Sequence, residues 1–258
     1  MRRMLVLALL LLPLTALAAS PCTYSSPRTL KLDLAGIHGV RVDVGSQNVH
    51  VHGSGNVTGL QLDGRACASD KASLDKLRVT SRRDGDQLII EVGQRSGWFN
   101  MSLFGSSYAY LDVNLQLPAS MPVTLEVGSG DADATGLQQL VGHVGSGDLH
   151  VHDLAGTLTA SVGSGDIVAD HIGGLDMHAV GSGDVKVRDV RGEASVGSLG
   201  SGDVKLEEIG GSVHVGSLGS GDLTVRDVQG DLSLDTRGSG DVDYSGIKGK
   251  TSVPRGDD

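Results

Sequence analysis

The side chains best placed to do chemistry are seven aspartates. Asp131, Asp148, Asp166, Asp184, Asp203, Asp222 and Asp241 each close a Gly-Ser-Gly-Asp tetrapeptide, and the steps between them are 17, 18, 18, 19, 19 and 19 residues. Glycine-rich backbone beside a carboxylate can hold a cation or cradle a phosphate. If the repeats stack in register, the carboxylates form a column. Like charges about 5 Å apart repel, so such a column needs hydrogen-bond donors, water or cations around it. Two chemistries follow. Each Asp can cap its turn, accepting backbone N–H bonds within the turn it occupies. Alternatively, the column is a ladder for Ca2+, the natural cation for carboxylate and carbonyl oxygens.

Other candidate groups are fewer. The calcium β-roll repeat, Gly-Gly-x-Gly-x-Asp every nine residues or so, is a partial match to an 18-residue step. The chain departs from it, because the second turn reads Ala155-Gly156, Gly173-Gly174 or Gly210-Gly211, without Asp. His50/His52 and His150/His152 each have i, i+2 spacing, which puts both rings on the outer face of a strand, with Asp170 and His171 alongside the second pair. Such a face offers Zn2+ or Cu2+ ligands, or simply solvated histidines. No nucleophile elbow, phosphate loop or HExxH occurs, and the Gly-Ser-Gly turns recur too regularly to be a phosphate cradle. Polysaccharide lyases built on β-helices use long loops and clustered acids, whereas the loops of 128–250 are uniformly short. We therefore expect no enzyme and no cofactor, with Ca2+ as the one alternative.

The elements that must position these groups follow from the same repeat. Counting from each Asp, position +1 (Ala132, Leu149, Ile167, Val185, Val204, Leu223, Val242), position +3 and position +6 are apolar or nearly so. Position +2 is polar in most coils. That alternation is a strand with one buried face. A Gly at +8 in six coils reads as a second turn, where a residue without Cβ tolerates positive φ. A second short strand follows, with Leu158/Ala160, Ala194/Val196, Val213/Val215 and Leu232/Leu234 pointing inward. The Asp166 coil breaks the pattern at Asp176, and a local shift or bulge is expected there. A single coil cannot bury its own face, so the pattern predicts an all-β fold. It is a single-stranded parallel β-helix or β-solenoid of about 18–19 residues per coil, its layers about 4.8 Å apart.

Residues 1–18 read as an export signal, with Arg2 and Arg3, an apolar run Met4–Leu12 and cleavage near Ala18. That run is too short for a transmembrane helix, and no other candidate span follows it. The expected product is periplasmic or secreted to the cell surface. Its net charge, −10 before the signal is removed, disfavours nucleic acid and anionic lipid as partners. In an oxidising compartment the two cysteines, Cys22 and Cys67, most simply form one disulfide. Residues 19–127 read as an N-terminal cap and first coils, continuous with regular coils over 128–253 and a frayed tail, 254–258. Within the cap, Gly45-Ser46-Gln47-Asn48 and Gly53-Ser54-Gly55-Asn56 are near copies of the motif. Residues 69–77 predict a short helix capped by Ser69. Strands at 76–81 and 87–92 predict a hairpin around Arg83–Asp86. Residues 94–109 hold the sole Trp and both Phe. Their apolar members Trp98, Phe99, Met101, Leu103 and Phe104 form either a cover for the core or an exposed contact loop.

A sparse β-strand region with a Pro-Ala-Ser-type turn (Leu117–Pro122) leads into reiterated Gly-Ser-Gly-Asp coils behind a signal peptide. Over about 28–253 this resembles the bacterial β-strand-repeat "putative adhesin" family, a domain family of unknown function. The resemblance implies a parallel β-solenoid of the cell envelope and supplies no catalytic residues. The expected role is a non-catalytic, adhesin-like or scaffold protein whose partner is a protein or glycan of the envelope or surface.

Overall fold

The computed structural model describes residues 22–94 and 108–255. The chain opens with β1 (Tyr24–Asp33) and makes a first coil from β2 (Gly39–Val44) and β3 (Asn48–Ser54). A cap follows: β4 (Gly59–Ala68), helix α1 (Lys71–Lys76), β5 (Leu77–Asp84), β6 (Gln87–Gln94) and β7 (Ala109–Pro118). The regular coils are then β8 (Val123–Val127), β9 (Ala132–Thr135), β10 (Leu140–Val144), β11 (Leu149–Val162), β12 (Ile167–Val180), β13 (Val185–Val190) and β14 (Ala194–Leu199). They continue through β15 (Val204–Ile209), β16 (Val213–Leu218), β17 (Leu223–Val228), β18 (Leu232–Arg237), β19 (Val242–Ile247) and β20 (Thr251–Ser252).

Two stacks of parallel strands face each other across a core of Val, Leu, Ile and Ala. Face I runs β7, β3, β9, the first halves of β11 and β12, then β13, β15, β17 and β19. Face II runs β6, β2, β8, β10, the second halves of β11 and β12, then β14, β16, β18 and β20. Each Gly-Ser-Gly-Asp turn carries the chain from face II to face I. The expected parallel β-solenoid, with its less regular N-terminal part, is the observed fold. Layer order is not chain order at the start. The first coil, β2–β3, lies between the later pairs β6–β7 and β8–β9. Antiparallel strands close this end: β4 on β7, β1 on β4, and β5 on β6. Capping a stack with antiparallel edges covers the row of unpaired backbone groups that parallel layers would otherwise present.

Three sequence expectations need correction. Gly53-Ser54-Gly55-Asn56 is not a corner: residues 53 and 54 finish β3, and the chain leaves there for β4. Asp70, not Ser69, caps α1. Its carboxylate accepts the Ser73 N–H at 2.9 Å and the Ser73 hydroxyl at 2.7 Å. The +8 glycines are not at positive φ. The left-handed residue of each coil is at +5: Gly136, Asp153, His171, Asp189, Glu208, Asp227 and Gly246, with φ of 53–71°. That residue adds one step between the inward residues at +3 and +6. The +8 Gly is needed for space instead, since a Cβ on Gly192 would come 2.7 Å from the carbonyl oxygen of Gly173.

The expected irregularity at Asp176 is present and explains the step lengths. The register between β11 and β12 shifts twice, between Leu154 and Thr157 and between Ala160 and Ser161. From the Asp148 coil to the Asp166 coil the corner shortens by one residue, Leu154 to Leu158 becoming Ile172 to Leu175. The strand then gains one, His178. Asp176 thereby points outward while Leu175 and Met177 are buried. The Asp131 coil has neither extra residue, the next two have one each, and those from Asp184 have both. Steps of 17, 18, 18 and 19 residues follow.

Candidate interaction surfaces

The aspartate column is bonded between coils rather than within them. Asp148 Oδ1 accepts the N–H of Asp166 at 3.1 Å, and Asp166 Oδ1 accepts that of Asp184 at 3.0 Å. The same bond joins Asp184 to Asp203 (3.2 Å), Asp203 to Asp222 (3.0 Å) and Asp222 to Asp241 (3.0 Å). From Asp148 to Asp241 an N–H dipole therefore stands between neighbouring carboxylates, which offsets their repulsion. This corrects the expectation that each Asp bonds within its own turn. Ser-Gly backbone is packed as tightly: a Cβ on Gly147, Gly165, Gly183, Gly202, Gly221 or Gly240 would overlap the carbonyl oxygen of the equivalent Gly one coil earlier. A Ca2+ ladder would have to use the remaining carboxylate oxygens. Among the described residues, no three His, Cys, Asp or Glu side chains are grouped to hold a metal.

Face I carries outward charges that pair both between and within layers. Arg188 Nε is 3.5 Å from Asp170 of the neighbouring layer, and Lys205 Nζ is 2.8 Å from Glu207 of its own strand. The hydrogen bond to Asp170, then its charge and those of Glu208 and Glu207, raise the Arg188 guanidinium above its ordinary pKa. His50 bridges three layers, with Nδ1 2.7 Å from Asp133 of β9 and Nε2 3.3 Å from Asp112 of β7. His171 similarly lies 3.0 Å from Asp170 and 3.3 Å from Asp189. The i, i+2 reading of the histidines holds for strand placement: His150 and His152 sit opposite Val168 and Asp170 on the outer side of β11.

Face II bears a groove of about 990 Å3. Its lining includes one row of outward residues on six neighbouring strands: Thr80, Glu91, Asp43, Glu126, His143 and Ser161. Arg78, Gly93 near the end of β6 and the corner glycines Gly45, Gly128 and Gly145 also line it. Arg41 Nε bonds Asp43 at 2.6 Å, and its Nη2 is 3.7 Å from Glu126. The hydrogen bond to Asp43 raises the Arg41 pKa against partial burial, with the charges of Asp43 and Glu126 adding to it. Thr80 Oγ1 donates to Glu91 at 3.2 Å, and His143 Nδ1 is 2.9 Å from Ser161 Oγ. Sequence reasoning missed this row, since its members come from residue 43 to residue 161 and meet only through the out-of-order layering.

The Cys22–Cys67 disulfide is present and ties the chain before β1 to β4. It fits a compartment outside the reducing cytoplasm. Trp98, Phe99, Met101, Leu103 and Phe104 lie outside the described residues, as do residues 1–18. At the near end of that segment Tyr108 and Tyr110 stand with ring centroids 6.3 Å apart, and Tyr108 Oη accepts the Thr23 N–H at 2.9 Å. Tyr110 and Tyr24 are exposed. Among the described residues no helix is long and apolar enough to cross a membrane.

Two solved structures share the fold. One, from Parabacteroides distasonis, is named a "putative lipid binding protein"; it is 17% identical with a TM-score of 0.51, covering 90% of this chain and 98% of the other. The second, a "putative adhesin" from Bacteroides fragilis, is 14% identical with a TM-score of 0.52, covering 90% and 99%. No curated protein matches the chain. The Toastrack DUF4097 family matches residues 37–253, which begin just before β2 and end after β20. With its coils and corners and all of the cap but β1 inside that span, the chain belongs to the Toastrack DUF4097 family.

Proposed function

We propose that the protein is a non-catalytic, adhesin-like solenoid of the cell envelope, exported by the signal at 1–18 and presenting its outer strand faces to a surface molecule. The observation that carries this reading is the build of the outer faces. Polar and charged side chains project at alternate positions of each layer, on a backbone locked by the disulfide and by glycine corners. Regular, rigid faces of this kind suit binding better than turnover, which needs groups converging on one reacting atom. The adhesin name of the Bacteroides fragilis neighbour supports the same reading. The experiment is binding of the labelled mature chain to whole cells and to isolated envelope fractions. Saturable binding is expected; its absence overturns the proposal. Deleting residues 95–107 tests whether Trp98, Phe99, Met101, Leu103 and Phe104 contribute, and unchanged binding clears them of that role. Calcium is the alternative, because Asp148, Asp166, Asp184, Asp203 and Asp222 each keep one oxygen beyond the bond to the next coil. Equilibrium dialysis of metal-free protein decides it, with no uptake and an unshifted melt ending that reading.

A further inference from the structure

We propose that the face II groove is a binding site for a neutral, extended polyhydroxyl chain, a glycan strand lying along the rod axis; this rests on the adhesin-like reading above. The row Thr80, Glu91, Asp43, Glu126, His143, Ser161 runs lengthwise across six layers, and all of it lines the groove. Layers are about 4.8 Å apart, close to the length of one pyranose unit in an extended chain. Every member of the row offers a hydrogen-bond acceptor or donor, as successive sugar hydroxyls require.

Charge argues for a neutral occupant. Arg78 lines the groove with Glu91, Asp43 and Glu126, and from its flanks Arg41 pairs with Asp43 and Glu126 while Arg82 Nε is 3.7 Å from Glu91, so the three carboxylates are offset by three guanidinium groups although the chain is acidic. Carboxylate and guanidinium groups held in place by one another are the usual partners of sugar hydroxyls, each accepting or donating twice. The chemistry stops where the groove stops. Beyond Ser161 the same row continues as Ala179, Ser198, Ser217 and Thr236, small and uncharged. The volume, about 990 Å3, falls within the range of ligand-sized clefts.

The test is calorimetric titration of the purified mature chain with cellohexaose, maltohexaose and chitohexaose. At least one should bind, with a Kd of roughly 0.1–1 mM, as expected where hydrogen bonds rather than large apolar contacts supply affinity. Asp43→Ala with Glu126→Ala should weaken it at least tenfold. Glu91→Ala with His143→Ala, both on exposed or half-exposed positions, does the same if the first pair lowers the melting temperature. Arg188→Ala on face I should leave it unchanged. No heat with any hexasaccharide, or binding by both double variants as tight as that of the unaltered chain, overturns the site. Cell binding retained by both double variants overturns the site while leaving the adhesin-like reading standing. No cell binding by the unaltered chain overturns that reading itself.

Discussion

The corner of the first coil and the corners of the regular coils solve one problem in two ways. In the regular coils the third residue of the turn is always Gly, because a Cβ there would overlap the carbonyl oxygen of the coil before it. In the first coil that place is taken by Gln47, which is 2% exposed. The layer before it is the cap pair β6–β7, whose connection is not a four-residue turn. Gln47 extends into that layer, where Oε1 accepts the N–H of Leu111 at 2.6 Å and Nε2 donates to Ser46 Oγ at 3.1 Å. Motif glycine is thus a mark of what lies beneath a corner rather than of the corner itself. Where an identical turn is stacked below, there is no room for a side chain. Where a different layer is below, a side chain is needed to satisfy a backbone group that no neighbouring turn reaches.

The sharpest way to break this comparison is to put the same methyl group into both regions. Gly183→Ala places a Cβ against the Gly165 carbonyl, backbone on backbone, with no flexible side chain to give way. Overpacking of this kind should cost about 3–5 kcal/mol, or about 6–20 °C in Tm for a chain of this size. Gly93→Ala, at the face II end of the cap layer, meets nothing within 4 Å and should change Tm by no more than a degree or two. Equal effects in thermal melts would refute the stacking explanation.

Removing the disulfide tests the other half of the comparison. Cys22→Ser with Cys67→Ser frees a tether spanning 45 residues, which should destabilise the cap by about 2–3 kcal/mol. Hydrogen exchange should accelerate in β1 and β4 and stay slow in β13–β18, whose strands are paired on both sides and buried. Uniform acceleration along the rod would mean that the cap and the coils unfold as one unit.

Much of this was legible in the sequence, and the gaps have physical causes. The apolar columns at +1, +3 and +6 and the repeat near 18 residues specify strands, coils and core, because burial acts on every layer alike. The odd interval from +3 to +6 already contains the left-handed residue, yet glycine at +8 draws attention as the conventional marker of positive φ. Asp, His and Glu occupy the +5 position in five of the coils. Local side-chain capping is the general rule for single turns, so a lone Gly-Ser-Gly-Asp points to an Asp bond within its own turn. In a stack, the next coil's N–H is as near as the local one. The groove row was invisible for a different reason. Residues 80 and 91 reach the side of residue 43 only because the chain builds β6 on one side of β2 and β8 on the other.

A smaller effect, and one of opposite sign, comes from the +5 column. Glu208 holds φ of 58° in a coil whose successors at this place include Gly246 at 71°. A side chain longer than Asn or Asp has no local bond that favours the left-handed region. Glu208→Gly should therefore stabilise by about 0.5–1 kcal/mol, with the entropy of glycine in the unfolded chain limiting the gain. The same substitution at +4, Glu207→Gly, should destabilise, because Glu207 pairs with Lys205 at 2.8 Å and sits in a regular strand. Two melts distinguish strain at +5 from a general tolerance of the outer face.

The least effect expected is at the cap helix, and it is one of pH. The Ser73 hydroxyl and N–H hold the Asp70 carboxyl below its ordinary pKa. A depressed folded-state value means that the cap contributes stability above the unfolded carboxylate pKa and loses it as pH falls through the folded value. Asp70→Asn keeps an acceptor for the Ser73 N–H but removes the titration. Protection of the α1 amides, corrected for the intrinsic exchange rate at each pH, should therefore fall between about pH 5 and pH 2 in the unaltered chain more than in the Asn variant. The regular coils carry no such helix, so β13–β18 should show no difference between the two proteins over the same range. A pH response shared equally by the coils would place its origin in the aspartate column rather than in the cap.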